Sequence, residues 1–309
     1  MRVIFFGTGM FALPSLKGLA ASRHAVILCV TRPDRAQGRG RRLEPSPVKR
    51  AALRLGLPLA QPERPEASTF QPLQPDVGVV VDYGQLIGRE LLGLAPHGML
   101  GVHPSLLPKY RGAAPVAWAV LKGETTTGVT IFRLNERLDA GDVVSQQPTP
   151  IGLDEDAGIL TARLAELGAQ ELVRSLDSVE TGRAVFLPQD EAQASLAPKL
   201  TKTQGRIDWH QPAAGIERLV RALVPWPGAT TIWQGRVLKV WKVSASQSAE
   251  ATAGGHEPGR VIRVGPEALT VAAGGGALDL LDVQPEGRRR MSIREFLAGH
   301  HVTIGEKFG

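Results

Sequence analysis

The 309-residue sequence predicts an α/β domain built on a parallel sheet, followed by a small antiparallel β-barrel domain. Three observations carry this reading. Up to residue 150, short apolar runs alternate with segments of helical periodicity, the pattern of a parallel sheet covered on both faces. After Pro227 the pattern changes to alternating runs broken by glycine-rich turns, as in a small barrel. Between the two, periodicity fades from Gly182 through Pro188, Gln193 and Pro198 to Gly205. The expected division is a first domain over 1–185, a linker over 186–205 and a second domain over 206–309.

Taken in order, Arg2–Phe6 reads as the first strand and Phe11–Ala21 as the helix that follows it. The apolar stretch inside Arg2–Phe6 is too short for a signal-peptide core. Ala25–Thr31 is the second strand and holds Cys29, the one cysteine, read as a buried thiol. One cysteine excludes an internal disulfide and a cysteine-based metal site. Val48–Leu55 is a helix, and Leu57–Gln61, Asp76–Val81 and Met99–His103 are strands. Asp156–Thr181 is a long amphipathic helix, with Ile159, Leu160, Leu164, Leu167, Leu172 and Leu176 on one stripe. Ala213–Leu223 is a helix stopped at Pro225-Trp226-Pro227. Strands follow at Thr230–Trp233, Val237–Val243, Val261–Val264, Ala268–Ala272 and Ala277–Val283, with Ser244–Gly255 as a polar loop.

Hydrophobic residues make up 43%, charged residues 21%, and the mean hydropathy is −0.05, which is ordinary globular material. No apolar run approaches the roughly 18 residues that cross a bilayer. A cytoplasmic, membrane-free monomer is the expectation. The formal net charge of +6 suits a phosphate-rich partner, and its distribution says more. Residues 32–50 hold seven basic side chains against two acidic ones.

Gly7-Thr-Gly9-Met-Phe-Ala12 matches the G-x-G-x-x-A fingerprint of dinucleotide sites and sits between a strand and a helix. That motif also needs an acidic residue at the end of the second strand, where this chain has Thr31-Arg32-Pro33-Asp34. Arg32 suits a 2′-phosphate, so a nicotinamide cofactor stays open beside a tight turn that needs glycine. The stretch Gly98-Met-Leu-Gly-Val-His103-Pro-Ser-Leu-Leu-Pro108-Lys-Tyr-Arg-Gly-Ala-Ala-Pro115 turns from strand to loop at the sheet edge where ligands bind. A histidine there exchanges protons near neutral pH. Leu138-Asp139-Ala-Gly-Asp142 offers two carboxylates: Asp139 to orient or charge-stabilise an imidazole, Asp142 as a turn cap.

These two segments resemble the His-x-Ser-Leu-Leu-Pro-x-x-Arg-Gly and Leu-Asp-x-Gly-Asp motifs of the 10-formyltetrahydrofolate-dependent formyltransferases, here His103 to Gly112 and Leu138 to Asp142. Within them the chain is most similar to the methionyl-tRNA formyltransferases, over nearly its whole length. Pro33-Asp34-Arg35 with Gly38-Arg39-Gly40, Ser46-Pro47-Val48-Lys49, Gly128-Val-Thr-Ile131, Arg206-Ile-Asp-Trp209, Pro225-Trp-Pro227 and Lys239-Val-Trp-Lys242 carry that likeness. The resemblance implies a Rossmann-like catalytic domain and an OB-like, tRNA-binding C-terminal domain. It implies formyl transfer from 10-formyltetrahydrofolate to the α-amine of methionyl-initiator tRNA, without a metal. It makes His103 and Asp139 catalytic. His103 would act as imidazolium or general acid, held by Asp139. Ser105, Leu106, Leu107 and Pro108 correspond to the tetrahydrofolate-binding loop, and Tyr83, Gly84 and Leu86 to the lining of the pterin pocket. The basic loop over 33–47, with Arg35, Arg39, Arg41 and Arg42, corresponds to an element that closes on the tRNA acceptor end.

The chain departs from that pattern at the heart of the site. The catalytic asparagine position of the family is Gly101, a loss of one oxyanion donor that typically costs roughly 10²–10³ in rate. Asp82 stands where the family has a small apolar residue, Gly88 replaces a proline, and Gly9-Met10 replaces Pro-Asp. The space left at Gly101 is expected to hold a water bridging to Asp82. Impaired or altered catalysis is the corollary. Another formyl-group enzyme (a sugar-amine formyltransferase or formyl-folate hydrolase) and a weakened folate- or tRNA-binding protein are the alternatives.

Overall fold

The computed structural model describes residues 1–37, 42–248, 251 and 255–309. They form two compact units, one of Met1–Pro115, Thr126–Pro150 and Leu160–Pro198, the other of Val116–Thr125, Ile151–Ile159 and Lys199–Gly309.

Chain order begins with β1 (Arg2–Gly7), α1 (Ala12–Ala20), β2 (Ala25–Val30), β3 (Arg35–Gln37), β4 (Arg42–Glu44), α2 (Pro47–Arg54) and β5 (Leu59–Ala60). It continues with α3 (Ala67–Phe70), β6 (Val77–Val81), α4 (Arg89–Leu92), β7 (Met99–His103), α5 (Pro115–Lys122), β8 (Thr126–Arg133), β9 (Val143–Pro150) and α6 (Ala157–Glu180). The sheet of the first unit runs β5-β2-β1-β6-β7-β8-β9. Its first five strands are parallel, and β8 and β9 add an antiparallel edge.

Alternation along each strand sends neighbouring side chains to opposite faces, and both faces are covered. Val3, Phe5, Val79, Val81, Leu100 and Val102 form one core with Leu16, Ala51, Leu172 and Leu176 of the helices. Ile4, Phe6 and Met99 form the other, with Phe70, Tyr83 and Leu91. Each large aliphatic or aromatic side chain buried this way contributes roughly 1.5–3 kcal/mol. Two cores fixed by one alternation pin the register, because a one-residue slip would exchange them.

Differences from the sequence expectation have local causes. The antiparallel β8–β9 edge was not expected: β9 reads Val-Val-Ser-Gln-Gln-Pro-Thr-Pro, too polar to announce a strand, and is half-exposed along its length. Leu57–Gln61 shrinks to a two-residue edge strand because Cys29 and Val30 are its only β2 partners in the ladder. Ile159 is 58% exposed and leaves the apolar stripe of α6, while Leu160, Leu164, Leu172 and Leu176 are buried on it. The basic stretch at 33–47 contains a two-stranded ribbon, with Arg35 opposite Glu44 and Gln37 opposite Arg42. Arg39 and Arg41 lie outside the described residues. The Ser46 hydroxyl accepts the Lys49 N–H at 3.0 Å, and Pro47 opens α2.

The second unit contains α7 (Ala213–Ala222), β10 (Ala229–Trp233), β11 (Arg236–Ala245), β12 (Val261–Val264), β13 (Leu269–Ala272), β14 (Ala277–Pro285), β15 (Met291–Ser292) and α8 (Ile293–Gly299). Its antiparallel sheet runs β10-β11-β14-β13-β12, with β15 on β14. β11 continues through Ser244 and Ala245, where a loop was expected; 249, 250 and 252–254 of that stretch lie outside the described residues. Trp209, Ile216, Trp233, Val240, Leu280, Phe296 and Phe308 centre the core. The buried indoles of Trp209 and Trp233 donate to Thr231 Oγ1 and Glu306 Oε2, each at 3.0 Å, so neither polar edge is stranded. Among the described residues no helix is long and apolar enough to cross a membrane.

Candidate active site

The carboxyl ends of β1, β6 and β7 lie side by side, so the loops after Gly7, Val81 and His103 share one edge of the sheet. His103 closes β7 and is buried. Its Nε2 lies 2.9 Å from the Tyr110 carbonyl oxygen. A carbonyl only accepts, so the proton sits on Nε2 and Nδ1 keeps its lone pair. That Nδ1 is 3.7 Å from Asp139 Oδ2. The same carboxylate oxygen accepts the Gly112 N–H at 2.8 Å.

The expected arrangement of imidazole held by carboxylate is therefore corrected in detail. At 3.7 Å the two groups are beyond direct hydrogen bonding. Tyr110 holds the ring and Gly112 holds the carboxylate. Burial lowers the proton affinity of His103, against the opposing pull of Asp139 and of the Tyr110 carbonyl. The resting ring is neutral, so Nδ1 and Oδ2 are two acceptors facing each other. An N–H donor between them would satisfy both. Tyr110 and Gly112 act through their backbone, for which a sequence carries no side-chain signal.

Asp142 pairs with Arg133: Arg133 donates to its carboxylate from Nη2 at 2.8 Å, and its carbonyl accepts the Arg133 N–H at 2.8 Å. In the Ser105–Pro108 loop, the Ser105 hydroxyl donates to the Lys109 carbonyl at 2.6 Å. Thr130 Oγ1 donates to the Ser105 carbonyl at 2.6 Å and accepts the Leu107 N–H at 3.1 Å, while Gln146 Nε2 donates to the Leu107 carbonyl at 2.7 Å. Ser105 and Leu107 are buried by these bonds, and Leu106 and Pro108 are part-exposed.

The three positions after β6 diverge. Tyr83 packs edge-on against Phe6 with ring centroids 5.5 Å apart, and burial pushes its phenol up to about 12. Its side chain packs in the core, and its hydroxyl donates to Gln85 Oε1 at 2.8 Å. Gly84 takes a left-handed φ of 74°, and a Cβ there would come within 3.2 Å of the Arg32 guanidinium. Leu86 is 88% exposed.

The expected water-filled gap at Gly101 is also corrected. A Cβ at Gly101 would stand 2.6 Å from Phe132 Cε1 and 2.8 Å from Leu134 Cδ1. Hydrocarbon from β8 and the residue after it occupies the place of a larger side chain. Phe132 lies opposite Gly101 in the ladder, and its ring meets His103 edge-on at 6.4 Å. Asp82 turns elsewhere. Its backbone has φ 45°, its carbonyl accepts the N–H groups of Thr8 and Gly9 at 3.0 and 3.2 Å, and its carboxylate accepts the Phe11 N–H. Burial raises its proton affinity, opposed by Arg32 and by the Phe11 bond. Phe11 offers α1 no side-chain cap, so Asp82 supplies one from another strand. A Cβ at Gly9 would lie 1.8 Å from Asp82 Oδ2, so Gly9 and Asp82 are complementary departures. The carboxylate occupies the helix N-terminus that a dinucleotide pyrophosphate would need, which removes the structural basis for the nicotinamide reading.

A parallel α/β domain with this His–Asp edge, followed by an antiparallel domain, is the architecture of the formyl transferases. Residues 1–176 match the formyl transferase family and residues 199–301 match the formyl transferase C-terminal domain. A methionyl-tRNA formyltransferase of Solibacter usitatus is 47% identical over 313 residues, covering 100% of this chain and 99% of that protein. One from Caldanaerobacter subterraneus subsp. tengcongensis is 42% identical, covering 99% of both. The chain belongs to the methionyl-tRNA formyltransferase family. Solved structures share the fold: Aquifex aeolicus HypX in complex with tetrahydrofolic acid gives a TM-score of 0.64 at 19% identity, over 99% of this chain and 50% of HypX. The sugar 3N-formyl transferase WlaRD gives 0.70 at 15% identity, over 94% of this chain and 99% of WlaRD.

Proposed function

We propose that this chain moves the formyl group of 10-formyltetrahydrofolate onto the α-amine of methionyl-initiator tRNA. The observation that carries the chemistry is the facing pair of His103 Nδ1 and Asp139 Oδ2, 3.7 Å apart at the ligand edge of the sheet. An α-ammonium entering that gap would donate to both acceptors. The neutral imidazole takes one proton, which frees the amine lone pair, and Asp139 stabilises the resulting imidazolium. The freed amine forms the new C–N bond to the formyl carbon, and its nitrogen loses the second proton to solvent. Nδ1–H gives its proton to the departing folate nitrogen as the old C–N bond breaks, so His103 ends neutral.

Bound 10-formyltetrahydrofolate would supply the activated formyl group. Met10, Leu86 and Leu138 stand 68%, 88% and 69% exposed on loops of the catalytic unit, and such apolar side chains suit a flat pterin ring. Leu106 and Pro108 are the accessible part of the loop that would flank it.

A proton-accepting His103 fixes the sign of the pH dependence. Its folded-state proton affinity is lowered, so it stays neutral below histidine's ordinary 6.5. The transfer rate is expected to hold down to that pH and fall on further acidification, with the midpoint of the acid limb below 6.5. A steady-state rate profile between pH 5 and 9 checks this; a limb above 6.5 contradicts it.

Arg35, Arg39, Arg41 and Arg42 are assigned to phosphates of the tRNA acceptor end, and the domain over 206–309 to the same RNA. Residues 32–50 carry the strongest positive bias, and 201–309 hold 14 Lys and Arg against 10 Asp and Glu. Changing the four arginines to alanine is expected to raise KM for tRNA at least tenfold and leave kcat within a few-fold. Each lost phosphate contact should flatten the salt dependence of binding by roughly 0.7–0.9 in log–log slope.

The hydrocarbon packed at Gly101 favours a second reading, a folate- and tRNA-binding chain with slow chemistry. Turnover with charged initiator tRNA beside a gel shift separates the two. Formyl-methionyl-tRNA appearing with enzyme-like kcat supports transfer, and binding without product supports the second. Product on a sugar amine but not on tRNA would point to the other formyl-group enzymes.

A further inference from the structure

The segment that follows α6 runs back across both catalytic loops. Leu187 and Val143 exchange backbone hydrogen bonds at 2.8 and 2.9 Å. Ser195 accepts the Arg111 N–H through its carbonyl at 2.8 Å and the Tyr110 N–H through its hydroxyl at 2.9 Å, and Ala197 donates to the Arg111 carbonyl at 2.7 Å. Tyr110 and Gly112, the residues that hold His103 and Asp139, flank that last contact.

We infer that Gln189, in the middle of this strap, is a positioning residue for the catalytic pair: its side-chain amide locks the Asp139 loop to the loop after His103. The inference rests on the formyl-transfer reading. Nε2 donates to the Asp139 carbonyl at 2.9 Å and to the Gly141 carbonyl at 2.7 Å. Oε1 accepts from Arg111 Nη2 at 2.8 Å and Nε at 3.1 Å. A primary amide has two donors and two acceptor lone pairs, and all four are engaged. Arg111 itself is 6% exposed, and its other edge reaches both oxygens of Glu191 at 3.0 and 3.1 Å. Arg111 and then Arg137 hold the Glu191 carboxyl down at about 2, so that anchor stays charged.

The Asp139 loop needs such a lock. Asp139 has φ 48°, a left-handed conformation that a non-glycine residue keeps only where its surroundings over-determine it. Gly141 is pressed against the Arg133 carbonyl so closely that a Cβ would fall 1.7 Å from it. Gln189 grips the backbone at both of these positions. Without its two donors the Asp139 carbonyl loses its partner, and the carboxylate is free to drift from Nδ1. Misplacement on the order of 1 Å can cost about 10²-fold in rate.

The test uses the full chain with Gln189→Met, of similar volume but without donor or acceptor, and Gln189→Glu, which keeps an acceptor for Arg111 and loses the donors. Both are expected to lower kcat for formyl transfer by about 10- to 100-fold with KM for tRNA and folate changed less than threefold. In Gln189→Met the His103 ring, followed by NMR, should titrate at lower pH than in the parent, because the Asp139 carboxylate that favours its protonation is less well placed. Wild-type kcat in both variants overturns the inference. So does a lower melting temperature with His103 titrating as in the parent, which would make Gln189 merely structural. Should Gln189→Met not fold, the kcat and KM of Gln189→Glu decide. The titration needs no turnover: a parent that transfers no formyl group would sink the functional reading, and the shift of His103 would still judge the role of Gln189.

Discussion

Replacing His103 by asparagine is expected to lower kcat for formyl transfer by about 10²–10⁴-fold, the range supplied by a positioned acid–base group. Asparagine is smaller than the imidazole, and its amide ends short of the Nε2 position that donates to the Tyr110 carbonyl. It has no group that accepts a proton near neutral pH, so the loss falls on kcat. KM for folate and for tRNA should move little, because the apolar loops and the arginines that would bind them are separate residues. The acid limb of the rate profile should vanish with the imidazole. A variant that keeps the limb would place the titrating group elsewhere.

The second large effect concerns Gly101, where two outcomes are separable. Gly101→Asn alone places an amide where Phe132 Cε1 and Leu134 Cδ1 already lie 2.6 and 2.8 Å from the first added atom. Overpacking of this kind costs typically about 1–3 kcal/mol. The expected result is a lower melting temperature with no gain in rate. Gly101→Asn made together with Phe132→Leu and Leu134→Val opens that space. An oxyanion donor then gains room beside His103, and kcat is expected to rise by up to about 10²–10³-fold. A single-substitution variant with raised kcat and unchanged stability would show that the hydrocarbon yields easily. Equal kcat in the parent and the triple variant would show that the chemistry does not need the amide.

The arrangement at Gly101 shows what could be read from the residues and what could not. Periodicity alone located β1, β2, β6 and β7, because alternation between two buried faces leaves an apolar run with little ambiguity. The placement of His103 at the end of β7 followed from it. The loss of a side chain at Gly101 shows only against the formyltransferase pattern that the chain resembles. What fills the loss does not show in the residues, since Phe132 and Leu134 arrive from an antiparallel neighbour whose strand had no clear signal in its partner β9. Asp82 was conspicuous as a charge at a strand end. Its partners, the Phe11 N–H and the bare face of Gly9, depend on a left-handed turn that composition does not encode. The strap is the sharpest case. Residues 187–197 lack periodicity, the pattern of a linker, yet they bind by backbone pairing and single polar side chains, neither of which leaves a periodic trace.

In the proposed mechanism His103 and Asp139 act as one proton-handling unit, and a double-substitution cycle in single-turnover transfer to methionyl-initiator tRNA tests this most directly. Groups that work as a unit are strongly non-additive. The prediction is that His103→Asn with Asp139→Asn is no slower, within about threefold, than the slower of the two single variants. Losses that multiply would mean two independent roles, and would contradict the shared gap between Nδ1 and Oδ2 on which the mechanism is built.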